Sequence, residues 1–432
     1  MMFTVSSLPF ADLPLTTDNS PLIAAVFLTC TPMKYFSHLN TAVQLLQQYD
    51  GSQPFGSFIK QFFSQHKKYG SKDRKNISQL CYAFFRLGKA LTQLPAEERI
   101  LTGLFLCSPE PNELLQHLRP DWNEKAQLSL PEKIQLVNID HSPFTIHNLF
   151  PWSTELSQGM GYEPFCASFL TRPDLFLRLR PGKEAIVKNK LQQAGIAFGE
   201  INANCLALPN ASKIDTVIET DREAVIQDYS SQRIGELMEL IRTSTALSAS
   251  KHDASTMLRV WDACAASGGK SILANDIFPR IDLTVSDVRK SILINLEKRF
   301  ATAGIKHYLS FIADLTTSTF NGQHSTFDII ITDVPCTGSG TWSRTPEQLY
   351  YFHPQQIERY STLQKKIVHQ AIPHLKPGGF LLYCTCSVFK KENEEVVQYI
   401  QEQHSLSLLK SALLTGYDQK ADTLFGAVFQ KR

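Results

Sequence analysis

Hydrophobic positions along the chain change period three times. From Tyr35 to about Gln116 apolar residues recur at spacings of three and four, as in Ile77, Leu80, Cys81, Phe84, Phe85 and Leu87. That spacing predicts amphipathic helices, punctuated at Gly88 and Pro95. Residues 109–164 are rich in Pro, Asn and Ser and predict short helical pieces running into a linker. Near Leu175 the period becomes two. Leu175 to Arg180 alternates, as does Thr216-Val217-Ile218, and a helix is predicted between them from Lys183 to Ala194. From Leu258 onward strands near 258–261, 282–286, 308–312, 327–332 and 379–384 alternate with helices near 270–277, 289–303, 354–374 and 391–403. A closing strand is predicted at Thr423 to Phe429. Regular alternation of this kind implies an α/β fold, a parallel sheet with helices on both faces. The expected division is a tail over 1–32, a helical domain over 33–150, a small α+β unit over 165–250 and a catalytic α/β domain over 251–432.

Composition narrows this picture in a few places. The net charge of +2 is uninformative, but between Lys60 and Lys89 there are eight Lys/Arg against one Asp. Such a block suits a polyanion such as RNA, and equally suits the solvated face of a helix. Nine cysteines in a long chain, with no CxxC pair, predict a reducing, cytoplasmic setting and no disulfide framework. The histidines show no metal-ligand spacing, so no metal is expected. No run of 18 apolar residues is present to span a membrane. Pro21 to Leu28 has the look of a short signal core without a basic flank, and the segment before Met33 is read as a tail or an over-extended start.

The candidate chemistry lies at strand ends. In a doubly wound sheet, ligands sit outside the carboxyl ends of the strands. Asp262 to Lys270 occupies such an end, and Gly268 and Gly269 let the backbone approach a ligand. Asp287 ends the next strand, where it would accept from ribose hydroxyls; Asp314 ends the third, where it could accept from an adenine amino group. Three acids in register fit an adenosine ligand, and the absence of a G-x-x-x-x-G-K-[ST] loop argues against a P-loop ATPase. Two further strand ends carry thiols, in Asp333-Val334-Pro335-Cys336 and Thr385-Cys386-Ser387. Cys336 and Cys386 are expected to converge, with Asp333 at the same rim, whereas Cys384 should point into the core. Cytosine carbon 5 becomes nucleophilic when a thiolate adds to carbon 6, a step that needs one Cys, an acid near ring nitrogen 3 and a route for elimination. A carboxyl such as Asp333, raised by desolvation, could contact that nitrogen and the exocyclic amine.

These segments resemble the Fmu/Sun family of RNA cytosine-5 methyltransferases, most closely from about 170 to the C-terminus. Asp262 to Lys270 is similar to the family's cofactor loop, with Ser267 in place of the usual Pro. Asp333-Val-Pro-Cys336 resembles its Asp-Ala-Pro-Cys element, and Tyr383-Cys384-Thr385-Cys386-Ser387 with Glu392-Asn393-Glu394 resembles its nucleophile motif. The resemblance implies a Rossmann-like S-adenosylmethionine-dependent methyltransferase, with Cys386 as the attacking thiol, Cys336 assisting product release and Asp333 at the target base. It implies cofactor contacts from Cys264, Ala265, Ala266, Ser267, Gly268, Gly269, Lys270, Asp287, Asp314 and Asp333. Gln227 to Gln232 looks like the segment before the family's catalytic core, or is simply a helix cap made by Asp228 or Ser230. Two departures stand out. Ser267 loosens a loop that Pro would preset, and Arg180 occupies a position where relatives place Asn. The expected function is methylation of ribosomal RNA by a monomer. Transfer RNA is the alternative substrate, and a non-catalytic RNA-binding or assembly factor on the same scaffold is the alternative class.

Overall fold

The structure is a computed structural model and describes residues 21–140, 143–248, 257–278, 280–317 and 326–432. The first twenty residues of the expected tail lie outside the described residues, and its remainder begins the first helix.

The N-terminal part is helical: α1 (Pro21–Gln48), α2 (Phe55–Gln65), α3 (Ser71–Arg86), α4 (Ala96–Leu106), α5 (Glu113–Leu118), α6 (Pro120–Asn123), α7 (Leu130–Asp140) and, after the linker, α8 (Tyr162–Ser168). The three-and-four spacing along α3 buries Ile77, Leu80, Cys81, Phe84 and Phe85 as one stripe. This core is not closed by the helices alone. Trp342, Phe352, Val388 and Phe389, from loops and turns of the C-terminal domain, belong to the same apolar cluster.

A four-stranded antiparallel sheet follows, in the order β2 (Gly199–Asn202), β3 (Cys205–Leu208), β1 (Leu175–Leu179), β4 (Ala224–Ile226), covered by α9 (Glu184–Gln193). The alternation at 216–218 does not make a strand. Ile214 accepts from the backbone N–H of both Val217 and Ile218, so the segment closes as a turn, and the fourth strand forms at 224–226 instead. Arg180 is buried here. With Arg178 it forms a double ion pair to Asp276 of the catalytic domain, at 2.6 Å each. Arg180 also donates to the carbonyls of Asp221 and Ala303. It therefore joins the small unit to the catalytic domain.

The catalytic domain opens with α10 (Tyr229–Ser248). Its strands are β5 (Leu258–Asp262), β6 (Ile281–Asp287), β7 (Tyr308–Ile312), β8 (Phe327–Asp333), β9 (Leu375–Thr385), β10 (Leu406–Leu414) and β11 (Leu424–Lys431). Its remaining helices are α11 (Gly269–Ile277), α12 (Lys290–Ala303), α13 (Pro346–Tyr351), α14 (Gln355–Ala371) and α15 (Glu394–Gln403). Strand order is β10-β11-β9-β8-β5-β6-β7. β5 to β9 are parallel, but β11 pairs antiparallel with β9, and β10 closes an antiparallel hairpin on β11. The sheet is thus mixed, and β10 is a strand the sequence pattern did not reveal. Successive strand residues point to opposite faces. Val260, Ile329, Ile331 and Leu382 pack under α10, α11 and α12, while Trp261, Ile330, Leu381 and Tyr383 pack under α14 and α15. Burial on both faces explains the near-continuous apolar runs in these strands.

Candidate active site

In such a sheet the reversal of strand order between β5 and β8 leaves a crevice at their carboxyl ends, and the site residues expected from the sequence sit at or just beyond the carboxyl ends of β5 to β9. On one side, the loop after β5 turns sharply: Ala266 has φ +46° and Gly268 φ +83°. A Cβ on Gly268 would lie 2.6 Å from the Phe300 ring, whereas one on Gly269 would meet nothing within 4 Å. The first glycine is demanded by packing; the second leaves open space above the start of α11. Asp262 is fully buried, accepts from the Ser271 hydroxyl at 2.6 Å and leaves Oδ1 without a partner. Burial pushes its pKa up to about 7, against the opposing Ser271 hydrogen bond. Cys264 is a thiol that burial, then the surrounding carboxylates, holds well above its usual range.

Asp287 ends β6 and accepts from the backbone N–H of Ala266 at 3.0 Å, which fixes the loop. Burial would raise its pKa, but the side-chain and backbone N–H groups of Arg289 outweigh that and leave it lowered. The Arg289 side chain is itself largely exposed. Asp314 follows β7 at the surface, accepting on Oδ1 from the Thr316 N–H and hydroxyl, which lowers its pKa. Ser267 accepts from the Arg299 guanidinium through both its hydroxyl and its carbonyl, and Arg299 also pairs with Asp221 at 2.6 Å. The loop lacks the ring of a proline but gains this anchor.

On the other side of the crevice, the sulfurs of Cys336 and Cys386 are 3.2 Å apart. Neighbouring strands bring them together: Asp333 of β8 is registered with Cys384 of β9, and each thiol follows a few residues later. Cys384 is buried in the core, as its strand position requires. The Cys336 thiol is pushed well above its usual value, first by its hydrogen bond to Cys386 and then by burial. Asp333 accepts from the Lys270 ammonium at 2.6 Å. Burial would lower the Lys270 pKa, but the Asp333 charge reverses this and raises it.

Both thiol loops hang on one carboxylate, that of Glu392. Glu392 is fully buried. It accepts from the Thr337 N–H at 2.8 Å, the Thr337 hydroxyl at 2.6 Å, the Ser387 hydroxyl at 2.6 Å and the Gln364 amide at 3.0 Å. Thr337 follows Cys336 and Ser387 follows Cys386, so one side chain sets the separation of the two sulfurs. Asn393 holds the Thr385 hydroxyl and the Ser387 carbonyl, and Glu394 takes the Ser157 hydroxyl of the linker. A hydroxyl residue directly after each candidate thiol was the signal available in the sequence. Asp228 caps α10 through the Ser230 N–H and pairs with Arg344 at 2.5 Å, so the segment 227–232 is a helix start tied to the thiol loop. Among the described residues no helix is long and apolar enough to cross a membrane, and no group of three or more His, Cys, Asp or Glu could hold a metal.

Residues 245–424 match the family 16S rRNA methyltransferase RsmB/F. Ribosomal RNA small subunit methyltransferase B of Xanthomonas campestris is 27% identical over 202 residues, 44% of this chain and 42% of that protein. The probable enzyme of the same name from Bacillus subtilis is 27% identical over 249 residues, 56% of this chain and 52% of that one. The matched part thus spans about half or less of these relatives' length. Among solved structures, PH0851 superposes with a TM-score of 0.64 at 18% identity, covering 93% of this chain and 99% of its own. A methyltransferase homolog from Pyrococcus horikoshii gives 0.53 at 20% identity, covering 71% and 100%. These two share the fold, a Rossmann-like methyltransferase sheet. Over residues 245–424, about two fifths of its length, the chain is similar to the RsmB/F methyltransferase family.

Proposed function

We propose that this protein is an S-adenosylmethionine-dependent RNA cytosine-5 methyltransferase acting on ribosomal RNA, with Cys386 as the nucleophile. The observation that carries the reading is the pair of sulfurs 3.2 Å apart beside the Lys270–Asp333 ion pair. A structural thiol would have no need of a second thiol and a charged pair at the same rim.

The β5–β6 side fits the cofactor. Gly269 offers space that a Cβ would occupy, and Asp287 and Asp314 each retain acceptor capacity for an adenosine's hydroxyls and amine. When bound, S-adenosylmethionine supplies an electrophilic methyl. The chain's own residues do the rest. The Cys386 sulfur bonds to cytosine carbon 6 and makes carbon 5 nucleophilic. Asp333, held by Lys270 at 2.6 Å, keeps one oxygen that would accept from the exocyclic amine, and the ammonium would stabilise the electron density gained by the ring nitrogen. Transfer of the carbon-5 proton to solvent water breaks the carbon 6–sulfur bond and expels Cys386 as a thiolate. Cys336, whose raised pKa keeps it protonated, donates a hydrogen bond to the departing sulfur. The base must be single-stranded or flipped out to expose carbon 6.

The test is trapping. Wild type, Cys336→Ala and Cys386→Ala are incubated with cellular RNA and S-adenosylmethionine, and protein–RNA adducts are resolved on a denaturing gel. An adduct accumulating in Cys336→Ala and absent in Cys386→Ala is expected. An adduct that depends on Cys336 overturns the assignment of the two thiols.

A further inference from the structure

A cavity of about 600 Å³ lies away from the thiols, where α3, the entry to β1, the turn after β3 and the loop beyond Cys336 meet. Three parts of the molecule build it. Lys75, Tyr82 and Arg86 come from the helical domain, Arg172 and Asn210 from the small unit, and Arg344 from the catalytic domain. Four of its lining residues are cationic, and none carries a carboxylate.

The charges are not all balanced. Arg344 already has two partners, Asp228 at 2.5 Å and Asp422 at 2.9 Å. Arg86 does not: only 8% exposed, it donates to the carbonyl oxygens of Phe169 at 2.7 Å and Thr171 at 3.1 Å. Both bonds come from Nη1, and their neutral acceptors leave the charge uncancelled. Burial lowers its pKa, and neighbouring Arg172 acts in the same direction. The side chains of Lys75 and Arg172 reach exposed positions and have no ion-pair partner among the described residues. Like charges gathered in a partly enclosed space repel, and a bound anion removes the repulsion. The volume suits a nucleotide-sized group better than a bare ion, and Tyr82 adds an aromatic wall.

We infer that this cavity binds phosphodiester groups of the RNA backbone, gripping the strand at a distance from the target base; the inference rests on the RNA-methyltransferase reading above. Because Arg344 sits on the loop that follows Cys336, strand position and thiol position are connected through one short segment.

The experiment is fluorescence anisotropy of the full chain with a labelled oligocytidylate over a series of salt concentrations. Each cation that neutralises a phosphate on a single strand contributes about 0.7 to the slope of log affinity against log salt. Lys75→Ala with Arg172→Ala should therefore flatten the slope by about 1.4. Lys75→Arg with Arg172→Lys should restore it. Methyl transfer by the alanine pair should show a raised KM for RNA. An alanine pair with unaltered slope and affinity overturns the proposal. So does protection against thermal unfolding by inorganic phosphate that depends on Arg172 while the RNA slope stays the same, since the site would then serve a free anion. Wild type that binds with the full slope, lost in the alanine pair, yet methylates no RNA would break the functional reading and leave the cavity's role standing.

Discussion

The two sides of the crevice are built differently. The β8–β9 side holds its thiols through a carboxylate with no exposure, met by four donors from three segments. Around the buried Asp262, the β5–β6 side positions Asp287 through Arg289, whose side chain is more than half exposed, and Asp314 through a turn of its own. The difference matches two tasks. Bond formation needs sulfur atoms fixed to within fractions of an ångström. A small ligand that must enter and leave needs partners that can let go, and exposed ion pairs contribute little to stability.

The sharpest way to break this contrast is Glu392→Ala. It strands the Thr337 and Ser387 hydroxyls, one backbone N–H and an amide in a dry site, at a cost of about 3 kcal/mol. Methyl transfer should fall ~100-fold through kcat, because misplacement of a reacting group by 1 Å is enough for that. Glu392→Gln, which keeps one acceptor, should recover part of it. Chemical denaturation and single-turnover kinetics check both. If KM moves and kcat does not, the carboxylate does not set the thiol geometry.

Next in size is the glycine pair. Gly268→Ala forces a Cβ into Phe300 at positive φ and should destabilise the fold by ~2 kcal/mol. Gly269→Ala should leave the thermal midpoint unchanged or slightly raised, while cofactor affinity measured by calorimetry falls ~10-fold. Equal stability losses in both would mean that the space above Gly269 is not a ligand cradle.

Asp262 gives a pH test of the same side. Its folded pKa, about 7, lies above the unfolded value of about 3.9. The folded state therefore binds the extra proton, and this group's contribution to stability is fully present below about pH 4 and is lost as pH rises through about 7. Asp262→Asn should flatten the stability profile over that window, with the midpoint gain over wild type largest at or above pH 7. The smallest effect is expected for Arg289→Ala: stability within ~0.5 kcal/mol of wild type, and cofactor affinity unchanged or slightly improved as Asp287 is freed.

Much of the α/β domain was legible because its strands are buried on both faces and its helices have one apolar stripe. Val260, Ile329 to Ile331 and Leu381 to Tyr383 announce themselves as runs. β10 was not legible: it is an edge strand with a bulge between Leu408 and Lys410, and its middle residues are exposed, so neither a run nor a clean alternation survives. The thiols could be placed because each follows a strand end at a residue type with distinctive chemistry. The brace at Glu392 could not, since two of its donors, Thr337 and Gln364, lie 55 and 28 residues away in sequence. Arg180 looked like a departure within a binding strand; only the position of Asp276 shows it to be an inter-domain tie.

The apolar cluster that unites the helical domain with Trp342, Phe352 and Phe389 has a consequence for how the chain acquires its structure. Phe85 and Phe150 cannot complete their surroundings until segments more than two hundred residues later have left the ribosome. The first half of the chain must therefore wait, partly assembled, for the second. Such separation slows the final docking, because loop closure precedes the contacts that reward it. It also makes the two halves one cooperative unit, so that heat should melt the N-terminal helices and the catalytic sheet in a single step.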